Sequence, residues 1–523
     1  MPFLESHFRN NRQRFFDAIA LLALVSTGED DASLKLIRYV SAHQTDTTKT
    51  IVLEEDEIPL NWVPANWLRF IRAEAEPNQT GKAKHPRYQR NRLEILAFWT
   101  LADELGTGDI AIADSDRYAD YRTQLLSDAE CETRLASYCQ ATGLPTTPAK
   151  FAEHYRKALT QSWDSAMAHI AKHPFKLDKT DRPKLPKAPG KSVSPSLRKL
   201  QDQITSRMER RTLLQILCEA DQAMKYTRHF GVPSGANPKL KQPKVRYIST
   251  VFCYGTNLRP AQTARHMRGG FSDDDFFYVD RRHMRIENLE RASIDLINGT
   301  THFSLPSLWG TGKRMAGDGT HMPTWSKNLV GEMHIRYGAY GGIAYHFVGD
   351  TYAVIFSTFI TCGTWEAVYI LDAFMKNTSQ IRPNIIHADT QGQSLPVFAL
   401  SNLMGVQLMP RIRNWKDKGF YLPQRHFDAG SLDTFVDGSI NWDLIRAHHK
   451  DFMKVVLSIQ AGKILPSTLL RILTSYSSKN KLYVAFRELG RVCARYFCSA
   501  TSPMHPCAPP SPPPPTRPRA STP

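Results

Sequence analysis

The chain has 523 residues, too many for one ordinary domain and enough to bury several cores, so about two to four domains are expected. Lysine and arginine number 67 against 50 acidic residues, a formal charge of +17, which favours an anionic partner such as nucleic acid, with a basic solvated surface as the plainer alternative. The eight cysteines are scattered without CxxC pairs or finger-like histidine spacing, which speaks against a disulfide scaffold and against structural zinc.

The first element is "RNNRQRFFDAIALLALVS", where basic residues precede an apolar run interrupted by Asp17. The run is too short to span a bilayer and has no small-residue cleavage pattern, so it predicts an amphipathic helix over residues 6–25. "NRLEILAFWTLADEL" (91–105) and residues 151–171 also place apolar side chains at helical spacing, and residues 1–172 read as a helical region. Residues 173–199 are rich in proline, lysine and arginine. Proline cannot donate a helical hydrogen bond and the charges seek solvent, so this stretch reads as a basic linker. Helical blocks follow at 197–230 and 258–300, giving a second helical region over 200–304.

Within that region "LRPAQTARHMRGG" threads arginines through a helical pair. Packing helices are the better reading, with a helix-turn-helix left open. "GTGK" at 310–313 does not meet the requirements of a phosphate loop, because Ser307 stands where the earlier glycine belongs and Arg314 replaces the hydroxyl residue after the lysine.

From about Leu305 the texture changes. "GIAYHFVGDTYAVIFSTFITCG" (342–363) predicts a hairpin broken at Gly349 and Asp350, and "GTWEAVYILDAFMKN" predicts a helix. A strand at 383–389, a helix at 393–405 and a short strand in "GVQLMPRIR" follow, so residues 305–497 read as α/β. His448 and His449 in "RAHHK" are expected to face solvent from a helix. Residues 498–523, dominated by proline, serine and alanine, cannot pack a core and are expected to be disordered.

Asp318 in "KRMAGDGTHM" and Asp389 in "IIHADTQG" each read as an acid where an extended run meets a turn, with glycine close by. Such an aspartate is often only a turn former. Two of them on neighbouring strands of a basic α/β domain also suit a two-metal phosphoryl-transfer site, because hard divalent cations prefer carboxylate oxygen.

"HADTQGQSLPVFALSNLMGVQLMPRIRNWKDKGFY" (387–421) resembles a stretch of Tn3-family transposases. The same family is resembled, in order, by "RNRLEILAFWTLADELGTGDIAIADSDRYADY" (90–121), "YGTNLRPAQTARHM" (254–267), "GDGTHM" (317–322), "GTWEAVYILDAF" (363–374) and "LPSTLLRILTSYSSKNKLYVAFRELGR" (465–491). The resemblance implies a mixed fold, with a helical N-terminal region and an α/β RNase H-like catalytic domain. It implies Mg²⁺-dependent nicking of transposon ends and joining of 3′-hydroxyls to target DNA, with Asp318 and Asp389 as the first two acids of a DDE triad and as metal ligands. Arg411, Arg413, Lys416 and Lys418 match the family's "PRIR" and "KDK" run and are expected to hold DNA phosphates, with Trp415 as a stacking platform. His387 is expected to be packed beside the ligands rather than to be one.

The partners implied are transposon-end and target DNA and an oligomer with intact transposase, at the nucleoid of a bacterial cytoplasm and away from membranes. In the family the third acid, a glutamate, lies in an Asn-Lys-Gly-Glu stretch beyond the "RELGR" helix. No such stretch follows here, so the catalytic domain is expected to be incomplete at its C-terminus, with a tail of the kind a shifted reading frame would give. The family also carries larger DNA-end-recognition domains ahead of the region resembled here. Glu488 belongs to a different helix in relatives and is a poor substitute. Two functions are therefore expected: a strand-transfer enzyme, or a DNA-binding remnant without activity.

Overall fold

The structure is a computed structural model that describes residues 2–28, 31–53, 58–73, 86–115, 118, 120–172, 194–236, 240–267, 270–324, 328, 330–334, 338–363, 366–412, 419–475 and 480–500. It divides into two compact units. One comprises residues 1–174, 365–375 and 390–523, the other residues 175–364 and 376–389.

In the first unit, helices Ala32–Ala42 and Arg90–Thr107 bury Leu36, Ile37, Leu93 and Leu96 against one another. Arg12 on helix Pro2–Ala20 reaches the buried Glu94 carboxylate at 2.7 Å, so a charge inside this core is paired rather than stranded. The region is mostly helical, with short strands that its sequence did not announce. The first helix ends at Ala20, and Leu24–Ser26 pairs antiparallel with Ile110–Ile112. Thr50–Val52 likewise pairs with Arg87–Gln89. Strands of three residues are too short to write an alternating pattern into a sequence.

Helix Pro148–Lys172 buries Phe151, Tyr155, Leu159 and Trp163, one residue per turn on one face. The Phe151 ring meets His449 edge-on, with ring centroids 4.8 Å apart. His448 and His449, expected at the surface, are 2% and 4% exposed. The reason is a break: helix Trp442–Ala447 ends just before them and helix His449–Gln460 begins, so the helical phase resets and both rings turn inward. His448 Nδ1 lies 2.8 Å from Asp451 Oδ2, and burial holds the His449 pKa below its usual value.

In the second unit, helices between Leu213 and Thr300 enclose Tyr226, Phe230, Tyr247, Ile248, Val279 and Ala292. One of them, Pro243–Gly255, falls between the two blocks read from sequence. Of the linker, residues 173–193 lie outside the described residues, and Ser194 caps a helix from Pro195 to Arg207.

The strands that this unit contributes to its sheet, among the described residues, are β1 (Arg314–Pro323), β2 (Glu332–His334), β3 (Ala339–Gly349), β4 (Val354–Thr361) and β5 (Ile385–Ala388). β3 runs antiparallel to β1 along one edge and to β4 and β2 along the other. β5 pairs parallel with the free edge of β1. One face carries Met315, Ile343, Tyr345, Phe347, Ile360 and Ile386, all buried, and forms the core. The predicted hairpin is the β3–β4 pair. The "GTGK" loop does bind an anion, but the chain supplies it: the Thr311 and Gly312 N–H groups donate to the Asp350 carboxylate at 3.1 and 2.8 Å.

Helix Lys481–Ala500 extends three residues past Phe497, and residues 501–523 lie outside the described residues. Among the described residues no helix is long and apolar enough to cross a membrane.

Candidate metal and nucleic-acid site

Asp318 is not at a strand end. It is the fifth of the ten residues of β1, well inside the strand. The glycines beside it made the segment read as a turn, yet Gly317 serves packing. A Cβ on Gly317 would stand 2.8 Å from Phe347 Cε1 and 3.2 Å from the Tyr345 hydroxyl. The core rings opposite therefore occupy the space that a side chain would need. Alternation along β1 then turns Asp318 to the other face of the sheet, where it is exposed.

Asp389 follows the last residue of β5, as its sequence suggested, and is half-buried. β5 is in parallel register with β1 through Arg314–Ile385, Met315–Ile386 and Ala316–His387. Continued by two residues, that register sets Asp389 level with Asp318. Paired residues of parallel strands share a face, and neighbouring strands are about 4.8 Å apart. Asp318 is thus exposed inside β1, and Asp389 lies half-buried just past the end of the neighbouring β5. Between Arg314 and Asp389 on this face lies His387, whose pKa is lowered by burial and, secondarily, by the Arg314 charge. It is a neutral packed group, in line with the reading from sequence.

The donor chemistry suits a hard cation: one carboxylate inside β1 and one just past the end of the adjacent β5, with Ala316 and its paired His387 between them and the strand starts. Among the described residues no group of three or more histidine, cysteine, aspartate or glutamate side chains is placed to hold a metal ion. Glu488 is committed elsewhere. Only 4% exposed, it accepts from the Asn441 N–H at 2.8 Å and from the Arg491 guanidinium, and so ties helix Lys481–Ala500 to the start of helix Trp442–Ala447.

The same row of the sheet continues into two residues that nothing in the sequence singled out. Asp318 pairs with His346 on β3, and His346 pairs with Ser357 on β4. The one sequence signal was alternation: in "AYHFV" the histidine is the exposed position between the buried Tyr345 and Phe347. Of the expected phosphate contacts, Arg411 belongs to the other unit. It is exposed, and its carbonyl accepts from Gln393 Nε2 at 3.1 Å. Arg413, Trp415, Lys416 and Lys418 lie outside the described residues.

With this geometry in hand, comparison with known proteins is informative. The family model described as "Tn3 transposase DDE domain" matches residues 215–499, more than half of the chain. The transposase for transposon Tn21 of Escherichia coli is 25% identical over 484 residues, covering 91% of this chain and 47% of that protein. The transposase for transposon Tn501 of Pseudomonas aeruginosa is 27% identical over 417 residues, covering 77% of this chain and 41% of that protein. The transposase for transposon gamma-delta of Escherichia coli strain K12 is 24% identical over 454 residues, covering 84% and 43%. The chain spans about half the length of the curated relatives it matches.

Proposed function

The chain belongs to the Tn3 transposase DDE family, and on that premise we propose that Asp318 and Asp389 hold Mg²⁺ against a DNA phosphodiester for strand cleavage and 3′-hydroxyl strand transfer. The observation that supports this reading is the parallel register of β1 and β5, which, continued two residues beyond Ala316 and His387, would bring Asp389 level with Asp318. The strand order supports an RNase H-like domain: three antiparallel neighbours, β1, β3 and β4, and a later strand, β5, parallel on the other edge of β1. A formal charge of +17 suits a DNA partner, and Arg411, Arg413, Lys416 and Lys418 are the candidates for phosphate contact.

Bound Mg²⁺ would neutralise charge on the phosphoryl oxygens and ease loss of a proton from water or a 3′-hydroxyl. The residues of the chain supply the rest. Asp318 sits in a strand interior, which fixes the backbone that carries its carboxylate. Asp389 stands between the end of β5 and the helical turn Thr390–Gln393. His387, neutral and packed beside Asp389, fills space without adding positive charge that would compete with the cation. The reaction breaks one P–O bond and makes another, with the proton passing from the attacking to the leaving oxygen, so no covalent enzyme intermediate is needed.

The absence, among the described residues, of a third acid beside the pair and the structural use of Glu488 favour a second reading: a chain that binds DNA and metal without cutting. Supercoiled plasmid incubated with the purified chain in Mg²⁺ separates the two. The enzyme reading predicts nicked circles that disappear with Asp318→Asn. The remnant reading predicts retarded but intact plasmid for both proteins. No retardation at any salt concentration would contradict both.

A further inference from the structure

Asp318, His346 and Ser357 form one row across β1, β3 and β4, and Asp389 follows the last residue of β5, the strand on the other edge of β1. Directly opposed side chains in a sheet share a face, with Cβ atoms about 5 Å apart. Asp318, His346 and Ser357 are all exposed on it. The neighbouring rows hold Ala316 with His387 and Val348 on one flank and Ala344 with Thr320 and Phe359 on the other. His346 is also oriented. Its Nδ1 lies 2.8 Å from Ser357 Oγ, which fixes one end of the ring and presents Nε2 at the other. When the Ser357 hydroxyl donates to Nδ1, the neutral ring carries its proton on Nε2 and offers a donor.

Building on the reading that Asp318 and Asp389 hold a cation against a phosphodiester, we propose that His346 donates through Nε2 to the same phosphate group and that Ser357 sets its ring for the task. A phosphate held by a cation on one side still has an anionic oxygen to satisfy on the other. A preorganised N–H one strand away from Asp318 is placed to do so. Packing does not explain the residue, since His346 is exposed while Tyr345 and Phe347 on either side fill the core.

The contact exists only when a phosphate is seated at the cation, so the test reads a cation-dependent gain. Anisotropy of a short fluorescein-labelled duplex with free 3′-hydroxyls gives the affinity of the full chain in EDTA and in Ca²⁺, a hard cation with the same preference for carboxylate oxygen. Wild type should bind more tightly in Ca²⁺. His346→Ala should keep the EDTA affinity and lose about tenfold of the Ca²⁺ gain. His346→Gln, whose amide can donate at similar reach, should recover most of it, and Ser357→Ala should fall between. A full gain in His346→Ala, or an equal loss in EDTA and Ca²⁺, would overturn the proposal. The Asp318→Asn/Asp389→Asn variant separates this proposal from the reading beneath it. Loss of the gain supports that reading, and a retained gain would overturn both.

Discussion

Gly317 and Asp318 illustrate how one residue can be legible in kind and misread in setting. The glycine-flanked segment marks the acid in the sequence, and glycine there signals a turn because it usually forms one. The structure uses Gly317 to clear Phe347 and Tyr345. Gly317→Ala should therefore destabilise the second unit by about 1–3 kcal/mol in denaturant unfolding, because rings in a packed core have nowhere to move. An unchanged midpoint would mean that the sheet absorbs the methyl group. Asp109 makes a second prediction at this scale. Its carboxylate accepts from Thr107 Oγ1, Asn480 Nδ2 and the Lys481 N–H, yet burial raises its pKa from 3.8 to about 6. The folded chain thus holds that proton more tightly than the unfolded chain. The resulting stability is fully present below about pH 4 and is lost as pH rises through about 6, a change of about 3 kcal/mol from this group. Asp109→Asn should flatten the stability profile over that window, and an unaltered slope would show that the group does not titrate there.

At the scale of elements, the longer periodic segments were readable and the short or interrupted ones were not. Helix Arg90–Thr107, the β3–β4 hairpin and β5 followed from apolar spacing and turn residues, because each is long enough or punctuated clearly enough to repeat its pattern. The three-residue strands near the start could not do so. His448 and His449 were misplaced because the break between their helices leaves no proline or glycine behind, so the sequence appears to run on as one helix. Helix Lys481–Ala500 crosses Leu395–Leu403 closely enough that a Cβ on Gly490 would clash with the Leu395 carbonyl oxygen, and Glu488 fastens the same helix to Asn441 and Arg491. Glu488→Gln leaves the Arg491 charge without its carboxylate and should lower stability by about 1–3 kcal/mol. Cation binding should not change. A Glu488→Gln chain of normal stability that bound Mn²⁺ at least tenfold more weakly would return Glu488 to the candidate metal ligands.

At the scale of the molecule, composition pointed to nucleic acid and ordered motifs pointed to the family, which the family model bears out. The sequence alone suggested Asp318 and Asp389 as partners, while the parallel pairing of their strands, β1 and β5, came from the structure, since strand register cannot be read from one chain's sequence. The row through His346 was less legible still, because cross-strand neighbours leave no mark in a single sequence. The central claim is that this register builds a cation site. Mn²⁺ titration followed by electron paramagnetic resonance tests it directly. The wild-type chain should bind Mn²⁺ in competition with Mg²⁺, and Asp318→Asn and Asp389→Asn should each weaken binding at least about tenfold, as loss of one of two carboxylate ligands requires, with the circular dichroism spectrum unchanged. Equal Mn²⁺ affinity in the wild type and the double variant would contradict it.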